Sequence, residues 1–189
     1  MLILVLGQQN SGKSALAEDL AVNTKDPRRY YLATMKVYDE EGRKRVRDHR
    51  AKREGKGFIT LEREYGIADV TTLMEDPAGA TLLLECVSNL VGNELFENPA
   101  QSSLIAAEGA EVSEAECEKF AEGIAAEIMT LEKKVHHLIC VSNTYESDAA
   151  SYDDRTRLYV RLLDLVNEKL LSMADQIHDL RKGTGGADF

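Results

Sequence analysis

Eight residues near the amino end, Gly7-Gln8-Gln9-Asn10-Ser11-Gly12-Lys13-Ser14, constrain the fold of this chain more than any other feature. They fit G-x-x-x-x-G-K-[ST], a loop that cradles phosphates between a strand and a helix. The flanks agree with that setting. MLILVL before the loop reads as a buried strand, and SALAEDLAVN after it reads as a helix. Gly7 and Gly12 permit backbone angles that side chains would forbid. The N–H groups of Gln8, Gln9, Asn10 and Ser11 can then turn toward an anion, helped by the positive end of the helix dipole. In such loops the lysine, here Lys13, neutralises the outer phosphates, and the hydroxyl of Ser14 faces Mg²⁺.

The rest of the pattern is an alternation of apolar runs and amphipathic stretches. Strands are predicted at 2–6, 30–33, 58–61, 81–85, 137–141 and 176–180. Helices are predicted at 13–22, 40–53, 67–75, 87–96, 113–134 and 155–173. Cys117, Phe120, Ile124, Ile128 and Leu131 recur at helical steps, as do Leu158, Leu162, Val166, Leu170 and Met173. Ser113 and Glu116 have the spacing of a capping box. Strands alternating with helices imply an α/β fold, a mostly parallel central sheet with helices on both faces. One domain over residues 1–182 and a loose tail over 183–189 are expected, with a surface loop from 98 to 112.

Composition narrows the function classes. No apolar run approaches the ~20 residues of a membrane span. The three cysteines, Cys86, Cys117 and Cys140, form no C-x-x-C pair, so neither zinc nor a disulfide scaffold is indicated, and a reduced, cytoplasmic protein is expected. The net charge of −10 argues against general nucleic-acid binding. Yet residues 43–56 hold eight Lys or Arg against only Asp48 and Glu54. Such a segment is either a solvated helix face or positive charge kept for an anionic ligand.

Two residues outside the loop have chemical potential. Glu85 ends the apolar run Thr81-Leu82-Leu83-Leu84, where a carboxylate can hold Mg²⁺ beside a phosphate loop. Capping of the next helix is the plainer role. His49 lies inside the basic segment, and an imidazole can attack phosphorus to form a phosphoramidate. Arg50, Lys52 and Arg53 would stabilise the charge, although a lone histidine on a basic helix is commonly just a surface residue.

Several segments together resemble the bifunctional adenosylcobinamide kinase/adenosylcobinamide-phosphate guanylyltransferases of cobalamin assembly. They are the opening strand, loop and helix, Tyr31-Leu32-Ala33-Thr34, Arg45-Val46-x-x-His49-x-x-x-Arg53, Phe58-x-Thr60-x-Glu62, Leu83-Leu84-Glu85-Cys86-Val87 with Asn93-x-Leu95, and Val141-Ser142-Asn143. The resemblance implies that His49 takes GMP from GTP and passes it to adenosylcobinamide phosphate. It also implies phosphorylation of adenosylcobinamide with ATP or GTP. By position, Gly7 to Ser14 would bind triphosphate, and Thr34, Met35 and Lys36 would line the nucleotide site. Arg50, Ala51, Lys52 and Arg53 would hold phosphates or guanine. Glu62 and Glu85 would also contact the nucleotide, Glu85 through metal. A homo-oligomer, as in the family's trimers, is implied as well. The chain departs from the family at Gln8 and Asn10, at Phe58, and after Asn143, where Thr144-Tyr145-Glu146 replaces the expected run. Two other readings fit the same residues: a different small-molecule kinase on this fold, or a nucleotide-binding protein without turnover.

Overall fold

The computed structural model describes residues 1–37, 39–100, 112–145 and 152–181; within the second helix the side chains of 41, 45, 48–50 and 52 lie outside this description. Four largely buried segments and two more exposed edge segments form a six-stranded sheet: β1 (Leu2–Gly7), β2 (Arg28–Ala33), β3 (Phe58–Glu62), β4 (Ala80–Glu85), β5 (His137–Asn143) and β6 (Gln176–Asp179). The order is β3-β2-β4-β5-β1-β6, and every neighbouring pair is parallel. Parallel neighbours need crossovers, and the helices supply them: α1 (Lys13–Asn23), α2 (Glu40–Arg53), α3 (Val87–Phe96), α4 (Glu114–Glu132) and α5 (Asp154–Met173).

Side chains alternate across a strand, so each central strand feeds two cores. Leu2, Leu4 and Leu6 of β1 join Leu82 and Leu84 of β4 and Leu138 of β5 in the larger core, with the apolar stripes of α3, α4 and α5. Ile3 and Val5 face the other way and meet Leu83, Ile139, Ala17 and Ala21 beneath α1. This two-sided burial explains why these strands read as continuous apolar runs. β3, at the sheet edge, is more polar, and its Ile59 is 49% exposed.

The predicted strands and helices are present, with ends shifted by a residue or two. Residues 67–75 are the exception: they form a 3₁₀ helix over Ile67–Leu73. Its buried Ile67 and Val70 are three apart, the spacing that stacks directly in a three-residue turn. Gly66, with φ +62°, turns the chain into it. The capping box at Ser113 and Glu116 forms in both directions. The expected tail and most of the expected loop at 98–112 lie outside the described residues.

Leu4 is fully buried in the middle of β1. Leu4→Ala is expected to destabilise the protein by about 2–5 kcal/mol, read from urea unfolding at constant m-value.

Candidate active site

The carboxyl edge of the sheet carries the site. β1 runs straight into the phosphate loop, and α1 begins at Lys13 behind Gly12, which has φ +87°. That left-handed conformation suits only glycine at low cost. Gly7 is required for a different reason. A Cβ there would lie 2.6 Å from Ser11 Oγ and 3.0 Å from Leu180 Cβ. The loop is therefore a tight turn with no room for a side chain at its base.

Lys13 is buried, and its ammonium donates to the Gln8 carbonyl at 2.6 Å, folded over the loop. Burial lowers its pKa, with Cys86 and Glu85 opposing the shift. Ser14 donates through Oγ to Glu85 Oε1 at 2.7 Å. This bond joins the start of α1 to the end of β4, although β5 separates β1 from β4 in the sheet. The other oxygen, Glu85 Oε2, is shielded and has no hydrogen-bond partner. Burial pushes the Glu85 carboxyl up to about 7; the Ser14 bond, Lys13 and Arg53 pull it down, and Glu18 adds to the rise. A hydroxyl oxygen and a carboxylate with an unused, sheltered oxygen form the hard oxygen pair that suits Mg²⁺.

Around this pair opens a cleft of about 1310 Å³. Its floor is the loop end, with Gln9, Asn10, Lys13 and Ser14, together with Glu85 and Cys86. One wall is α2, through Arg43, Val46, Arg47 and Arg53. Another is Ser88, Asn89 and Phe96 of α3. Met35, Lys36, Glu62 and Arg63 close the side nearest β2 and β3. The basic segment of the sequence is thus one wall of a concave site.

Arg53 is 7% exposed, and its guanidinium carbon sits 3.4 Å from the centre of the Tyr31 ring. Its Nη1 is buried without a partner. A planar cation stacked on an aromatic and holding an unused donor is prepared to bind an anion. Ser11 Oγ is likewise buried and unpartnered.

The remaining expected residues fall as follows. Thr34 is fully buried and does not line the cleft; its Oγ1 donates to the Cys86 carbonyl and accepts from the Cys86 N–H, both at 2.8 Å. It braces the turn after Glu85. Asn93 donates to the carbonyls of Thr34 and Glu64, tying α3 to the same corner. Lys36 pairs with Glu97 at 2.7 Å. Ala51 is exposed and borders a small adjoining hollow with Gly57 and Phe58. The backbone of His49 belongs to α2, the cleft-lining helix, while the side chains of His49, Arg50 and Lys52 lie outside the described residues. Arg43 and Arg47 were not singled out in the sequence, though their four-residue spacing places them on one helix face. Arg63 carried no signal beyond its place after Glu62.

A family model for cobinamide kinase / cobinamide phosphate guanyltransferase matches residues 3–185. The chain belongs to this family. Its members are bifunctional enzymes of cobalamin biosynthesis, and nucleotides and cobinamides are their substrates. The phosphate loop, Glu85 and the basic helix all lie within the matched span. No curated protein matches the chain. Among solved structures, the flagellar accessory protein FlaH from Methanocaldococcus jannaschii aligns over 99% of this chain and 74% of its own, at 15% identity and a TM-score of 0.43.

The raised Glu85 pKa has a measurable effect. An acid with a folded pKa near 7 keeps its proton in the native state while the unfolded chain releases it above about 4.5. Metal-free protein should therefore lose stability between pH 4.5 and 7, by at most about 3 kcal/mol, and level off above. Glu85→Gln is expected to flatten this dependence in urea unfolding followed across that range.

Proposed function

We propose that the chain binds GTP with Mg²⁺ and forms a guanylyl adduct on His49 as an intermediate in transfer to adenosylcobinamide phosphate. The observation that carries the reading is the meeting of two features in one cleft. The Ser14–Glu85 pair and Lys13 lie on its floor, and the helix that contains His49 forms its wall.

The loop N–H groups and Lys13 would take the β- and γ-phosphates, Lys13 exchanging its bond to Gln8 for them. Ser14 and Glu85 would hold Mg²⁺, which supplies charge neutralisation on the polyphosphate. Loss of the Glu85 proton near neutral pH would accompany this binding. A ring nitrogen of His49 attacks the α-phosphorus. A phosphorus–nitrogen bond forms, the bond to the bridging oxygen breaks, and pyrophosphate leaves with that electron pair. Arg53, with its unused Nη1, and its neighbours Arg50 and Lys52 are assigned to the developing phosphate charge. A phosphate oxygen of adenosylcobinamide phosphate then attacks the same phosphorus, and the phosphorus–nitrogen bond breaks to release free imidazole and adenosylcobinamide-GDP. Glu62, exposed on the cleft wall, is assigned to guanine N–H groups.

The kinase half uses the same loop. The hydroxyl of adenosylcobinamide attacks the γ-phosphorus of ATP or GTP, and nucleoside diphosphate leaves. We assign the homo-oligomer to this reading as well: β3 is an edge strand whose exposed Ile59 offers an apolar contact. A cytoplasmic setting agrees with three buried free cysteines.

The two halves separate by mutation. His49→Ala should abolish formation of adenosylcobinamide-GDP while leaving phosphorylation of adenosylcobinamide within a few-fold of wild type, measured by chromatography of the corrinoid products. Guanylyl transfer that survives His49→Ala overturns the mechanism. Lys13→Ala should weaken GTP binding by at least about tenfold in calorimetry, the loss of a charge-assisted hydrogen bond.

A further inference from the structure

A second cluster of chemical groups lies at the opposite, amino edge of the sheet. Asp26 precedes β2, His136 precedes β5, and His137 opens β5. His136 Nδ1 is 2.8 Å from Asp26 Oδ1, and His137 Nδ1 is 2.7 Å from Asp26 Oδ2. One ligand atom from each residue can be chosen so that all lie within 4.8 Å of one another. Among the described residues no other group of His, Cys, Asp and Glu converges in this way.

We propose that Asp26, His136 and His137 bind one divalent first-row transition-metal ion. Two imidazoles and a carboxylate are ligands of the type that suits zinc, iron, cobalt or nickel rather than Mg²⁺. The spacing agrees with this. Ligand atoms at about 2.0–2.1 Å from a tetrahedral zinc stand about 3.3 Å apart, and one ligand atom from each of the three residues already lies within 4.8 Å of the other two.

The surroundings hold the three groups in place. Thr81 donates to Asp26 Oδ2 at 2.7 Å, and Thr24 Oγ1 lies 2.8 Å from Thr81 Oγ1. Such outer hydrogen bonds orient a ligating carboxylate. The backbone of His136 is tied on both sides: its N–H donates to the Ala80 carbonyl, and its own carbonyl accepts from the amino terminus. Asp26 is nearly sealed and His137 mostly so, while the His136 ring is 61% exposed. An ion can therefore enter from solvent, and water can complete its coordination. The bound ion would fasten the α1–β2 connection to the start of β5, far along the strands from the nucleotide cleft. The cluster stands apart from the nucleotide chemistry, so the proposal does not depend on it.

The test uses the full chain stripped of metal and titrated with Zn²⁺ in excess Mg²⁺ by calorimetry, and with Co²⁺ followed by visible absorption. One equivalent of Zn²⁺ is expected, with Co²⁺ bands typical of nitrogen and oxygen ligation and a rise in the thermal unfolding midpoint. His136→Ala and His137→Ala should each weaken binding by more than about tenfold and remove the stabilisation. His136 is exposed, so its variant is expected to fold even where Asp26→Asn does not. Absence of one-equivalent binding, or equal affinity in wild type and both histidine variants, overturns the proposal. Either result would make the cluster a carboxylate hydrogen-bonded to two imidazoles and nothing more.

Discussion

A single hydrogen bond, from the Ser14 hydroxyl to Glu85, joins the start of α1, just behind the phosphate loop, to the end of β4, and the site depends on it. β1 delivers the phosphate loop and β4 delivers the carboxylate, with β5 between them. The chain leaves β1 and crosses toward β2 on one side, whereas β6 adds on the other. Parallel sheets open a crevice where successive connections diverge in this manner, outside the carboxyl ends of the strands. The described cleft occupies that position. Its floor lies at the ends of β1 and β4, strands whose middles are fully buried.

The electrostatics of the cleft are unfinished without an anion and a cation. Lys13 folds back on its own loop, Arg53 keeps an unused donor over Tyr31, and Glu85 keeps an unused acceptor. Buried polar atoms without partners cost stability. Here they share one cavity, and a nucleotide polyphosphate with its metal would satisfy positive and negative groups together. The acidic chain thus places its densest run of positive charge along one helix that borders this cavity.

Much of the fold was legible because local and tertiary signals coincide. The apolar runs of β1, β4 and β5 could only be strands covered on both faces, and Gly12 marked where the chain turns into α1. The stretch 67–75 misled because its two buried residues, Ile67 and Val70, suit a 3₁₀ turn as well as an α-helix. The loop, Lys13, Ser14 and Glu85 were legible from motif and strand position. The brace made by Thr34 and Asn93 was not, because hydroxyl and amide bonds to distant carbonyls leave no periodic trace in sequence. Asp26 with His136 and His137 was hidden for the same reason, Asp26 lying 110 and 111 residues from the two histidines in sequence.

The central claim is that a histidine on the basic wall becomes covalently bonded to GMP. Intact-mass spectrometry of the protein after exposure to GTP and Mg²⁺, without corrinoid, tests it most directly. The account predicts a gain of one guanylyl group, absent with a non-hydrolysable α,β-bridged analogue and released by acid. A protein whose mass stays unchanged while calorimetry shows GTP saturating the cleft would contradict it.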